Sequence, residues 1–492
     1  MKLSLISLTG LLVYLLLILS PLAIAISLDL AERPFLDQLS SALAILGFNL
    51  IFIEFLLSGR IRQLSKMLGA DWVLQIHQLM ARTAAVFLLI HPLLYTLPNA
   101  PAFSSFPPSA SYLGLTPGTA FTGMIGLGAL VVLIVLAITR HSALLKYEHW
   151  RISHALLAVT VALMGFHHAT HAGRFSQENL MLRYWQIALG FALLMLAWVY
   201  LIRPILQRSR AYKVIKLQEV AHQIYELTIQ RCNPNNSGNL RYQAGQFAWL
   251  KIKSTTPVFE NPFSISSAPS LSTNEKQESL QFLIKDVGDF THQVSQLEVD
   301  DLIYLDAPYG NFGQSCFESN ENQLVFIAGG AGIAPIVSLL RGLMQTKNAA
   351  LLHKPIQVIY GNRIEDQMIN LSTTVNLQAF SRLSITPVIR EPHHSWTGIS
   401  GVLDQHNLEK ILVTQHSDSF DPKQSNFYVC GPAEMIDSVE SALTSMGVPL
   451  SHIESEKFHY DYSKKGARNR LSLLMMAALS TALAITALFV SA

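Results

Sequence analysis

Six apolar runs of about 20 residues occupy most of the first 205 positions of this chain. Roughly 20 apolar residues is the length that carries a helix across the hydrocarbon core of a bilayer. The runs fall near 3–26, 37–58, 72–97, 119–139, 150–170 and 183–203. Backbone polar groups in lipid must be satisfied within their own segment, so these runs predict a helical membrane bundle. The first run exceeds the apolar region of a typical secretory signal, no clear small-residue cleavage site follows it, and five more runs come after it; it reads as a retained helix. Composition agrees, since 50% of the 492 residues are apolar and 14% are charged, against about 25% charged in soluble proteins. Lys/Arg in the loops gives the orientation. Arg60, Arg62 and Lys66 follow the second run, Arg140 and Lys146 the fourth, and Arg203, Arg208, Arg210 and Lys213 the sixth. Residues 98–118 carry no charge, so the positive-inside bias places the N-terminus and everything after 205 in the cytoplasm.

Histidines inside two of these runs carry the chemistry. His77 and His91 lie in the third, His154 and His168 in the fifth, each pair 14 residues apart. Fourteen residues at about 100° each return to within roughly 40° of one face and rise about 21 Å. Two such helices side by side offer two bis-imidazole sites at two depths, the arrangement that holds two b-type haems. His77 and His154 then lie on the cytoplasmic side and His91 and His168 on the outer side. His167 is the alternative to His168, although a spacing of 13 puts it near the opposite face. Arg82, between the two histidines of the third run, needs a partner in lipid; a haem propionate or Glu54 on the second run would serve. Three cysteines without a Cys-x-x-Cys exclude a four-cysteine iron–sulfur ligand set and a disulfide framework. The net charge of +2 and the absence of a basic patch leave nucleic acid out as a partner.

The pattern changes at about 211. Residues 211–318 alternate in short runs such as Phe247-Ala-Trp-Leu-Lys-Ile, which predicts a small antiparallel β-barrel. Residues 320–460 alternate buried strands with helices, which predicts an α/β domain with a parallel sheet. A last apolar run, 471–491, follows Lys464-Lys-Gly-Ala-Arg-Asn-Arg and reads as a seventh span. The domains are thus 1–205, 211–318, 320–460 and 471–491.

His77…His91-Pro92 and Tyr147-Glu-His-Trp-Arg-Ile-Ser-His154…His168-Ala resemble the ferric reductase and NADPH oxidase superfamily, over about residues 1–460. The resemblance implies a six-helix, two-haem core fused to a ferredoxin-NADP reductase-like module. It implies a cytoplasmic reductase domain and a bacterial-type inner membrane. Asn261-Pro262-Phe263-Ser264 looks like the family's flavin motif, with Phe263 against the isoalloxazine and Ser264 near its reactive nitrogen; Asn261 stands where the family usually has Arg or His. Ile284-Lys285-Asp-Val-Gly288-Asp-Phe-Thr291 resembles the FAD pyrophosphate segment. Gly329-Gly330-Ala-Gly332-Ile-Ala-Pro335, after a strand and before a helix, offers backbone N–H groups to a nucleotide phosphate. Arg363, after the next strand, is placed to meet a 2′-phosphate, which favours NADPH over NADH. Cys430-Gly431-Pro432 resembles the motif beside the nicotinamide, with Cys430 setting hydride geometry. Phe458, with Tyr460 as runner-up, is the aromatic expected to cover the flavin.

These expectations amount to electron transfer from cytoplasmic NAD(P)H through FAD and two haems to an acceptor across the membrane. Ferric iron or another metal is the first candidate; O₂, giving superoxide, is the second; a partner protein on the outer side is the third. A transporter with an accessory nucleotide domain would leave the histidine spacing unexplained.

Overall fold

Each apolar run that the structure describes is a helix. The computed structural model describes residues 5–31, 33, 35–57, 61, 70–95, 116–139, 147–208, 210–233, 240–256, 259–269, 279–319, 323–346, 348–414 and 421–457. The helices are α1 (Leu5–Ser27), α2 (Phe35–Leu56), α3 (Ala70–Tyr95), α4 (Pro117–Ile138), α5 (Tyr147–Ala172) and α6 (Asn179–Ala197). Five helical stretches among the described residues are long and apolar enough to cross a membrane: Phe35–Leu56, Val73–Leu94, Pro117–Ile138, Glu148–Ala172 and Asn179–Arg208. α1 is 23 residues long and carries Pro21 inside it. The expected 471–491 span lies outside the described residues, as do Arg60, Arg62, Lys66, Arg140 and Lys146.

Packing within the helical unit follows the apolar faces. Ile18 of α1, Leu46 and Leu50 of α2 and Met80 and Ala84 of α3 form one buried cluster. Phe48 and Phe52 of α2, Ala162 of α5 and Trp185 of α6 form a second. α4 packs along α5. Its start is defined locally, because the Thr116 side chain accepts from Thr119 N and Thr119 Oγ1 accepts from Thr116 N, with Pro117 at the first helical position. That reciprocal cap satisfies donors the helix itself cannot.

The chain divides into two units, and the main division falls between Ile202 and Arg203, with Arg62–Asp71 grouped with the downstream unit. The downstream unit opens with α7 (Arg203–Arg208), after a five-residue π-helical turn at Trp198–Ile202. Its first sheet is antiparallel, in the order β4-β3-β6-β1-β2-β5. The strands are β1 (Ala211–Ala221), β2 (Ile224–Arg231), β3 (Phe247–Ile252), β4 (Asn261–Ser264), β5 (Ser279–Lys285) and β6 (Leu302–Tyr309). A bridge between Ile265, just past β4, and Phe282 of β5 brings the two ends of this sheet together. Two buried charged groups tie α7 to it. Arg203 pairs directly with Asp306, and Tyr309 bonds to both: Arg203 Nη2 donates to the Tyr309 hydroxyl at 2.6 Å, which donates to Asp306 at 2.9 Å. Gln207 accepts from Lys251, which also sits 3.1 Å from Glu260.

The second sheet is parallel, in the order β10-β9-β8-β7-β11-β12. Its strands are β7 (Gln323–Gly329), β8 (Ile356–Asn362), β9 (Leu383–Ile389), β10 (Ile399–Ser400), β11 (Ser425–Gly431) and β12 (Ile453–Lys457). β7 and β11 are buried along their lengths. They read as near-continuous apolar runs because helices cover both faces of a parallel sheet.

Candidate functional site

Three of the four in-line histidines have their Nδ1 engaged by a neighbouring helix. His77 Nδ1 lies 2.6 Å from Glu54 Oε2 on α2, and the Tyr14 hydroxyl of α1 donates to Glu54 Oε1 at 3.2 Å. His91 Nδ1 lies 2.9 Å from Ser40 Oγ and 3.1 Å from the Ser40 carbonyl. The Ser40 hydroxyl donates to the His91 carbonyl at 2.8 Å, so the imidazole must supply the proton on its own side. His168 Nδ1 lies 2.8 Å from the Thr119 carbonyl on α4. A carbonyl only accepts, which fixes the proton on Nδ1 and leaves Nε2 as the free donor atom. His154 sits with its ring 5.2 Å from that of Trp150, and Trp150 Nε1 donates to the Leu136 carbonyl at 3.0 Å.

Metal-ligating histidines are held in this way, one nitrogen by an acceptor and the other left for the metal. The haem reading fits these residues on that ground. His167 also meets α4 through its Nδ1, 3.1 Å from Thr122 Oγ1, but unlike His168 it is exposed and its ring stacks on that of His171 at 4.2 Å. Gly123 explains how His168 reaches its acceptor. Thr119 and Gly123 are i and i+4 on one face of α4, and a Cβ on Gly123 would stand 2.7 Å from His168 Nδ1. Glu54, one of the two expected partners of Arg82, is engaged by His77 and Tyr14.

In the downstream unit three of the predicted motifs meet at one edge. The glycine loop follows β7, Arg363 follows β8 and Cys430-Gly431-Pro432 ends β11; β8, β7 and β11 are adjacent parallel strands. Their carboxyl ends are where ligands bind in open parallel sheets. Gly330 has φ +54°, and a Cβ there would approach only Asn362 Oδ1, at 3.7 Å. Gly329 and Gly332 have a packing reason as well: Cβ atoms there would run into Met435 and the Cys430 carbonyl. Pro335 lies buried in the first turn of α8 (Ile333–Met344). Cys430 is buried and is not in a disulfide, and Pro432 caps α9 (Ala433–Ser445).

The flavin motif forms β4, with Ser264 buried and Asn261 paired with Leu250 of β3. Phe263 stacks on Phe290, centroids 5.7 Å apart. Thr291 caps its own helix, its hydroxyl oxygen accepting from Val287 N at 2.9 Å and Gly288 N at 2.8 Å. Gly288 is extended, and a Cβ there would meet nothing within 4 Å, which leaves its backbone approachable. Lys285 Nζ donates to Gln367 Oε1 at 2.8 Å. Burial, and then the Arg363 cation, hold Lys285 below the ordinary lysine range, so two motifs far apart in sequence bring their cations together. Glu454 of β12 accepts from Gly313 N at 2.6 Å and Ser315 Oγ at 2.8 Å, and burial raises its carboxyl. Phe458 and Tyr460 lie outside the described residues.

Three family models match in tandem. A ferric reductase-like transmembrane component covers 43–165, an FAD-binding domain 209–315 and an oxidoreductase NAD-binding domain 326–441. The chain has the ferric reductase/NADPH oxidase-like architecture. His77, His91 and His154 of this ferric reductase-like chain fall inside the transmembrane match, and His168 lies just past its end. Its downstream modules are those of an FAD- and NAD-binding oxidoreductase. Among curated proteins it is 29% identical over 223 residues to the anthranilate 1,2-dioxygenase electron transfer component of Acinetobacter baylyi, covering 44% of this chain and 59% of that protein. It is 29% identical over 232 residues to human cytochrome b5 reductase 4, covering 44% of this chain and 40% of that protein. The ferric reductase-like chain thus spans about 60% or less of these two relatives. A solved ferredoxin reductase from carbazole 1,9a-dioxygenase is 19% identical, with a TM-score of 0.41, covering 51% of this chain and 69% of that one.

Sequence reasoning did not find Ser40 and Thr119 as partners of the ferric reductase-like histidines. Ser40 carried a weak signal, a hydroxyl in an apolar run. Thr119 carried none, because its backbone carbonyl makes the contact.

Proposed function

We propose that this chain carries electrons from NAD(P)H through FAD and two b-type haems, held by His77/His154 and His91/His168, to an acceptor across the membrane. The observation that carries the reading is the shared outer shell of His77, His91 and His168, whose Nδ1 atoms are engaged in a way that presents Nε2. FAD, when bound, would supply the conversion between the two-electron chemistry of the nicotinamide and the one-electron chemistry of haem. The chain's residues do the positioning. The glycine loop and the Cys430-Gly431-Pro432 turn would border the nicotinamide nucleotide, Arg363 would offer charge to its 2′-phosphate, Lys285 would offer charge to the FAD pyrophosphate, and Ser264 and Phe263 would line the flavin. Arg203, Arg208, Arg210 and Lys213, directly after the last long apolar helix, favour a cytoplasmic reductase unit. Outward electron flow is then aided by an inside-negative potential, at about 2.3 kcal/mol per 100 mV.

Ferric iron or another oxidised metal is the proposed acceptor. The test supplies NADPH to the purified, haem-loaded protein and follows chelated iron and trapped superoxide in parallel. Iron reduction that persists without oxygen and with superoxide dismutase present supports the metal-reductase reading. Iron reduction abolished by the dismutase, with superoxide as the primary product, overturns it in favour of an oxidase.

A further inference from the structure

The two histidine levels differ in what holds their Nδ1 atoms. At the level of His77 the acceptor is a carboxylate: Glu54 Oε2 stands 2.6 Å from Nδ1, and the side chain is only 7% exposed. Tyr14 supports that carboxylate from the other side, donating to Oε1 at 3.2 Å. At the other level the acceptors are neutral, the Ser40 hydroxyl and carbonyl for His91 and the Thr119 carbonyl for His168. A carboxylate on Nδ1–H makes an imidazole a stronger electron donor through Nε2 than a neutral acceptor does. A stronger donor favours the ferric over the ferrous iron, which lowers that site's reduction potential.

We propose that Glu54, held by Tyr14, is a positioning residue that sets the haem at His77/His154 to a lower potential than the haem at His91/His168. The asymmetry would give an electron arriving from the flavin a downhill step toward the outer level. Glu54 touches neither haem nor substrate; it acts through His77. This rests on the proposal above that the four histidines hold two haems.

The experiment is a spectroelectrochemical titration of the purified full-length protein, with haem content measured beside it. His77→Ala, which should retain only the outer haem, assigns the two potentials. The wild-type protein should show two separated potentials, the lower at the His77 level. Glu54→Gln keeps the side chain's shape and removes its charge. It should keep both haems and shift the inner haem's equilibrium toward the reduced form about tenfold, or about 59 mV for a one-electron couple, with the outer haem unmoved. Tyr14→Phe removes a donor that weakens the carboxylate as an acceptor, so it should move the same haem the opposite way, by less. A purely structural role for Glu54 does not produce opposite signs. An unchanged inner potential in Glu54→Gln with both haems bound overturns the proposal, as does an equal shift of both haems. If Glu54→Gln loses the inner haem, Tyr14→Phe decides, and an unmoved inner potential there overturns it. Wild-type protein that folds and binds FAD but no haem overturns the two-haem reading itself.

Discussion

In the proposed reading, nucleotide choice turns on a surface pair that a 2′-phosphate would take over. Arg363 Nε donates to Glu391 Oε2 at 2.8 Å, and the side chains are 69% and 50% exposed. A pair that open contributes about 0–1 kcal/mol. A hydrogen bond to a charged group such as a phosphate contributes about 1.5–3 kcal/mol, so the 2′-phosphate of NADPH would displace Glu391 at little cost. Arg363→Ala should therefore raise KM for NADPH about tenfold to a hundredfold, at about 1.4 kcal/mol per tenfold, and leave KM for NADH within about twofold. Glu391→Gln removes both the competing acceptor and its repulsion of the phosphate. It should lower KM for NADPH by up to about fivefold, the equivalent of about 1 kcal/mol. Steady-state reduction of a soluble dye that takes electrons from FAD measures both nucleotides without involving the membrane histidines. Equal changes in both KM values for Arg363→Ala would refute the reasoning, and Lys285, beside Arg363, would become the residue to test.

Other outcomes follow from the same contacts. His168→Ala should lose one haem while His167→Ala keeps two, read from the reduced α-band; the reverse would make His167 the ligand. Gly123→Val should mimic His168→Ala in part, because its side chain occupies the path by which His168 reaches the Thr119 carbonyl. Lys251→Met leaves Glu260 charged and buried, which costs about 3–5 kcal/mol; thermal release of FAD, followed by fluorescence, should fall by several degrees or more.

What could be read in the sequence was carried by contiguous residues or by fixed helical spacing. The 14-residue intervals place His77 with His91 and His154 with His168 on common faces whatever surrounds them. The strand–glycine–helix order around Gly330 and the Cys430-Gly431-Pro432 turn are equally local, and the parallel sheet brings them together at one edge. Contacts made across elements were not legible. Glu54 is a buried carboxylate in an apolar run, which signals importance but not its partner. Arg82 and His77 both lie on the third run, and only packing distinguishes them. Lys285 and Arg363 come from separate motifs, and their proximity depends on how the antiparallel and parallel sheets meet within the downstream unit. Thr291 matches the pyrophosphate segment by type, and within its own helix cap its hydroxyl donates to the Gly288 carbonyl at 2.8 Å. A sequence pattern supplies a donor without saying which acceptor reaches it first.

Four histidines on two helices are proposed to hold two haems, and a haem count on purified protein tests this most directly. The pyridine haemochrome spectrum, normalised to FAD and to protein, should give two b-type haems per chain, and one each for His77→Ala and His154→Ala. One haem or none in wild-type protein that is folded, FAD-loaded and supplied with haem would contradict it.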